Sequence, residues 1–134
     1  MKQATNTKKF RIFCVDDDND TCELMKVWLE FAPGEYDVEL VEARDEALTR
    51  IGKSNVDLYV LDSSVSGYDD LTLLQTIRQL DKTTPILVFS GMAQRIDRDE
   101  AMKAGASEYL TKPADSEEFI AAIERLLHRG TSTG

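Results

Sequence analysis

Short apolar runs alternate with longer amphipathic stretches along the chain, the rhythm of strand and helix units repeated around a parallel sheet. The runs at 10–15, 36–41, 58–61, 85–89 and 108–111 are predicted strands. The first, third and fourth are the most apolar, as strands covered on both faces should be. Helices are expected between and after them, at about 20–31, 44–52, 71–80, 95–104 and 116–129. Leu24, Trp28 and Phe31 share one face of the first; Leu73, Leu74, Ile77 and Leu80 line the third. Phe119, Ile123, Leu126 and Leu127 form the i, i+4, i+7, i+8 stripe of the last. All of these stripes are expected to face the core.

The punctuation agrees with this reading. Pro33 and Gly34 follow the first helix, Gly52 ends the second, and Gly105 after Ala104 suits a helix C-cap. Asp115 or Ser116 can cap the last helix. Residues 1–8 and 130–134 are polar or small and carry no periodicity, so they read as tails flanking one folded unit at 9–129. Right-handed crossovers would lay helices on both faces of the sheet, with ligands expected beyond the carboxyl ends of the strands.

Composition narrows the partners. A chain of 134 residues fits one domain and can bury roughly two thirds of its unfolded surface. The formal charge of −9 argues against direct binding to nucleic acid or anionic lipid, both of which need clustered Lys and Arg. Cys14 and Cys22 have no metal-binding spacing and read as thiols. With no apolar leader and no apolar run near about 18 residues, a cytoplasmic location without a membrane is expected.

Four of the predicted strands end in polar residues of one chemical set: Asp16 and Asp17, then Asp62, Ser90 and Lys112. If the first and third strands are neighbours, their carboxylates converge and repel unless a cation or proton intervenes. Magnesium, a hard ion that prefers oxygen ligands and retains waters, suits two carboxylates, one backbone carbonyl and a phosphoryl oxygen. The Ser64 carbonyl is the candidate third protein ligand. A hydroxyl at Ser90 and an ammonium at Lys112 imply a bound anion. Asp62 is the best-placed nucleophile for making an acyl phosphate, which leaves Asp16 and Asp17 to the metal.

The acidic run "VDDD", the strand-end aspartate in "DLYVLDSS", the hydroxyl and small residue in "VFSG", and "AGASEYLTKP" occur in that order over residues 10–129. In this the chain resembles the response-regulator receiver domains of two-component signalling. The resemblance implies a three-layer, doubly wound, flavodoxin-like α/β fold with a five-stranded parallel sheet in the order 2-1-3-4-5. It implies a signalling switch, not an enzyme with an external substrate, that takes a phosphoryl group onto Asp62 from the phosphohistidine of a histidine kinase or phosphotransfer protein. Asp17 and Asp62 would bind Mg2+ directly with Asp16 assisting, and Ser90 and Lys112 would contact the phosphoryl group. Ser90 and Tyr109 would form the switch, reporting to a downstream protein or fused output domain through helix 4, strand 5 and helix 5. Arg98 and Glu118 could join a charge network of the kind some receivers use to form a homodimer through that face. Lys112-Pro113 resembles the family's cis peptide, while Val65-Ser66, Asp70 and Ala114 depart from its commoner residues.

Ser64 and Met92, two positions beyond the acceptor and the hydroxyl, flank the path of an attacking water. Neither is suited to orient it, so rapid self-dephosphorylation is not expected. Three other readings compete. An EF-hand in "DDDND" fails because Thr21 and Val27 stand where Gly and Glu are needed. A haloacid-dehalogenase-type phosphatase with Asp16 as nucleophile and Asp18 as acid would need a further acidic pair after the lysine, whereas "KPADSEEF" runs straight into a helix. A receiver-like module that is never phosphorylated has no need of the full carboxylate set. His128, in the last turn of the final helix, complements its dipole and is assigned no chemistry.

Overall fold

The computed structural model describes residues 9–15, 19–32, 34–41, 44–51, 55–62, 70–90, 98–111 and 115–129. They form, in order, β1 (Lys9–Val15), α1 (Asn19–Glu30), β2 (Glu35–Val41), α2 (Arg44–Arg50), β3 (Leu58–Asp62), α3 (Asp70–Leu80), β4 (Ile86–Ser90), α4 (Arg98–Ala104), β5 (Glu108–Thr111) and α5 (Ser116–Arg129). The strands make one parallel sheet in the order β2-β1-β3-β4-β5. The most apolar runs, 12–15 of β1, 58–61 of β3 and 86–89 of β4, take the three interior places, where both faces are covered and burial favours apolar side chains.

Alternate residues of the strands feed two separate cores. Phe13, Tyr59, Leu61, Ile86 and Val88 pack with α2, α3 and α4 through Ala47, Leu74, Ile77 and Ala101. Ile12, Cys14, Leu58, Val60, Leu87 and Phe89 pack with α1 and α5 through Met25, Leu29, Phe119 and Ile123. Phe119 is fully buried and meets the rings of Trp28 and Phe89 at 5.3 and 5.5 Å. Burial of such a side chain contributes roughly 1.5–3 kcal/mol before ring geometry adds to it.

The stripe expected on α5 is buried throughout, as are Leu73, Leu74 and Ile77 of α3. The expectation for α1 needs correction. Met25 and Leu29 face the sheet, whereas Leu24 and Phe31 are 47% and 83% exposed. Residues 24/28/31 and 25/29 are two overlapping stripes on one helix, and the bulk of Trp28 decides between them. Its half-buried ring packs on Phe119 of α5 at 5.3 Å, while Leu24 and Phe31 lie outward. Leu80 is also exposed, because α3 ends there and the chain turns away at Asp81.

The helix ends follow local chemistry. Gly105 has φ of 120°, its N–H donates to Met102 O, and the Ala106 N–H donates to Ala101 O, the paired bonds of a Schellman cap on α4. At the start of α5 the Glu118 N–H donates to Asp115 Oδ1 at 2.8 Å, and the Asp115 N–H faces Glu118 Oε1 at 3.4 Å, a reciprocal capping box. Pro33 and Gly52 lie outside the described residues.

The amino-terminal edge of the sheet is tied by side chains reaching across long sequence separations. Arg78 donates through Nε and Nη2 to Gly105 O at 3.0 and 2.8 Å, and through Nη1 to Asp81 O and Thr84 O at 3.1 and 2.7 Å. Asp81 accepts from Thr83 N, Thr84 N, Thr84 Oγ1 and the Tyr59 hydroxyl. Burial alone would raise the Asp81 pKa, but the bonds from Thr84, Tyr59 and Thr83 outweigh it and hold the carboxyl below its ordinary value. Burial, then the bond to Asp81, pushes the Tyr59 phenol up.

Two measurements check this edge. Gly105→Ala should destabilise the fold by about 1–3 kcal/mol in urea unfolding. Its φ is unsuited to a side chain, and an added Cβ would lie 2.8 Å from Arg78 Cγ. Asp81→Asn should cost roughly 1–3 kcal/mol at pH 7. Because the folded carboxyl has the lowered pKa, its stabilisation is full above the unfolded value near 3.8 and is lost as pH falls through the folded one. The gap between parent and variant should therefore shrink in acid, and a gap unchanged from pH 7 to pH 3 would contradict the assignment.

Candidate functional site

The opposite edge of the sheet carries the candidate chemistry. Val15 at the end of β1 pairs with Leu61, Asp62 at the end of β3 pairs with Phe89, and Ser90 at the end of β4 pairs with Thr111 of β5. Strands about 4.8 Å apart, rising about 3.3 Å per residue, put the Asp62 and Ser90 backbones about 6 Å from each other. One small anion can span that interval. Asp62 and Ser90 are thus brought together by register alone. The other expected site residues, Asp16, Asp17, Ser64, Met92 and Lys112, lie outside the described residues, as does Pro113.

Sequence adjacency and register support a cation here. In the sequence Asp16 and Asp17 directly follow Val15, whose strand partner Leu61 directly precedes Asp62. Such a donor set is all oxygen, which suits a hard divalent ion. Among the described residues alone, no group of three or more His, Cys, Asp or Glu could hold a metal.

Tyr109 is half-buried in β5, paired with Val88, and packs against the core shared with α3 and α4. The guanidinium of Arg98, the first residue of α4, lies 5.3 Å from the centroid of its ring. Within the chain, the Glu118 side chain faces the Asp115 N–H at 3.4 Å. Arg125 of α5 makes a two-pronged pair with Glu108 at 3.0 and 2.6 Å, and that bond raises the Arg125 pKa. Away from this edge, an open groove of about 280 Å³ is lined by Arg11, Phe13, Asp37, Glu39 and Val56. Within it Glu39 pairs with Arg11 and with Arg50. His128 stands edge-on to Phe10, with ring centroids 5.8 Å apart.

Sequence reasoning missed the Arg98–Tyr109 contact and the Arg78–Asp81 network. A signal for the second was present, because aspartate after a helix followed by Thr83-Thr84-Pro85 is a side-chain-to-backbone turn.

The comparisons with known proteins agree with this geometry. A family model described as the response regulator receiver domain matches residues 12–124. The chain belongs to that family, the receiver domains of two-component response regulators. Among its relatives are the transcriptional regulatory protein TrcR of Mycobacterium tuberculosis, 32% identical over 90% of this chain and 46% of that protein, and ResD of Bacillus subtilis, 30% identical over 99% and 53%. The regulatory protein VanR of Enterococcus faecium is 35% identical over 89% and 50%. The chain spans about half the length of the curated relatives it matches. A CheY-like receiver domain from Methanospirillum hungatei superimposes with a TM-score of 0.81 at 25% identity, covering 95% of this chain and all of that one. A two-component response regulator from Clostridium difficile gives 0.79 at 28% identity, covering 92% and all of that chain. No helix among the described residues is long and apolar enough to cross a membrane.

Proposed function

We propose that the chain is a phosphorylation-operated switch in which Asp62 accepts a phosphoryl group from the phosphohistidine of a histidine kinase or phosphotransfer protein. The observation that carries this reading is the register that sets Asp62 one residue from Ser90 across adjacent strand ends, in a chain of the receiver family. A carboxylate oxygen of Asp62 attacks phosphorus, the nitrogen–phosphorus bond breaks, and the imidazole leaves with the electron pair and takes up a proton. The Ser90 hydroxyl donates to a phosphoryl oxygen and the Lys112 ammonium neutralises another, holding charge where it develops. Asp17, Asp62 and the Ser64 carbonyl would hold Mg2+, with Asp16 assisting. When bound, the ion supplies positive charge between the carboxylates and the incoming phosphoryl oxygens.

New contacts to those oxygens favour one of two packings of Ser90 and Tyr109, shifting the face built from α4, β5 and α5. That face would control a downstream protein or fused output domain and could associate with a second copy. Several relatives are named transcriptional regulators, but they are about twice as long as this chain. With a formal charge of −9, the receiver unit is proposed to act from the cytoplasm without touching nucleic acid or membrane itself.

Incubation with acetyl phosphate and Mg2+ tests the reading by intact mass. A phosphoryl adduct that persists in Asp16→Asn but is absent from Asp62→Asn is expected. Steady phosphomonoester turnover lost in Asp16→Asn, or no adduct on the parent chain, would contradict it. Because Ser64 and Met92 are poor at orienting water, the adduct should outlast a few seconds, and a shorter life would contradict their assigned positions.

A further inference from the structure

Both described ends of α4 make contacts outside the helix. At its carboxyl end the Schellman bonds to Met102 O and Ala101 O and the two Arg78 bonds to Gly105 O fix the backbone to α3 and to the entry of β5. At Arg98, the first described residue of the helix, the guanidinium lies over the face of Tyr109, 5.3 Å from the ring centroid. Glu108 and Glu118 are engaged elsewhere, Glu108 with Arg125 and Glu118 with the Asp115 N–H.

We infer that Arg98 is a positioning residue that latches the Tyr109 ring in its present place, so that the ring cannot turn without releasing the first turn of α4. The inference rests on the reading of Tyr109 as the moving aromatic of the switch. Attraction between a guanidinium and a phenol ring depends on where the ring lies, so the contact exists in one packing only and biases the equilibrium by its own strength. For an exposed pair that bias is about two- to fivefold. The Arg98 side chain is exposed, so a partner carrying a carboxylate could take the guanidinium from the ring. By linkage, binding there and phosphoryl transfer at Asp62 would favour each other by the same factor.

The test combines 19F NMR of the full chain labelled with 3-fluorotyrosine and titration with beryllofluoride, a stand-in for the phosphoryl group. Tyr109→Phe assigns the resonance by its disappearance. Arg98→Ala should move the Tyr109 resonance and tighten the apparent beryllofluoride affinity about two- to fivefold, while Arg98→Lys, which keeps the cation, stays nearer the parent. In a Tyr109→Leu background the same Arg98→Ala change should leave the affinity unaltered. An unmoved resonance, or equal tightening with and without the ring, would overturn the latch. Failure of the parent chain to bind beryllofluoride would count instead against the phosphoryl chemistry of Asp62, and the resonance would still decide the contact.

Discussion

Parallel pairing of β3 with β1 on one side and β4 on the other is the constraint from which the rest of the molecule follows. A strand in the middle of such a sheet has both faces covered, so β3 must be apolar until it emerges, and the first polar residue at its end is Asp62. Slipping β3 by one residue would exchange the side chains feeding the two cores, moving Tyr59 and Leu61 to the α1/α5 face and Leu58 and Val60 to the other. The register that satisfies both cores is the one that sets Asp62 beside Phe89 and one residue from Ser90.

The two edges of the sheet divide the labour. At the amino-terminal edge, long side chains tie backbone to backbone: Arg78 spans to Gly105, and the buried Tyr59 reaches Asp81. These bonds are non-local and satisfy groups that would otherwise be buried without partners, so they resist sliding of β3, β4 and β5 past one another. The carboxyl-terminal edge carries Asp62 and Ser90, and under the proposed function the carboxylates gathered there would repel one another and need a rigid frame.

Much of the fold was legible in the chain because burial on both faces writes itself as uninterrupted apolar runs, and because the α5 stripe has one possible inward face. Gly105 and Asp115 were legible as caps, since φ and side-chain reach restrict those positions to a few residue types. The α1 stripe was misassigned because periodicity gives the spacing of a face and not its direction, and the size of Trp28 decided the direction through a ring on another helix. Of the polar set expected at the strand ends, Asp62 and Ser90 fall within the described residues, and the register sets those two ends side by side. What could not be read were contacts between residues 11 or more apart with no shared period, such as Arg98 with Tyr109 and Arg78 with Gly105.

The claim beneath this account is that carboxylates from separate strand ends serve one cation at one edge of the sheet. Adding Mn2+, a paramagnetic replacement for Mg2+, to 15N-labelled protein and mapping the amide signals it broadens tests that claim most directly. Broadening centred on Val15 to Asp17, Asp62 to Ser64 and Ser90, abolished by Asp17→Asn, is the predicted result. Broadening centred on Arg78 and Gly105, or scattered over the acidic surface and indifferent to Asp17, would contradict it.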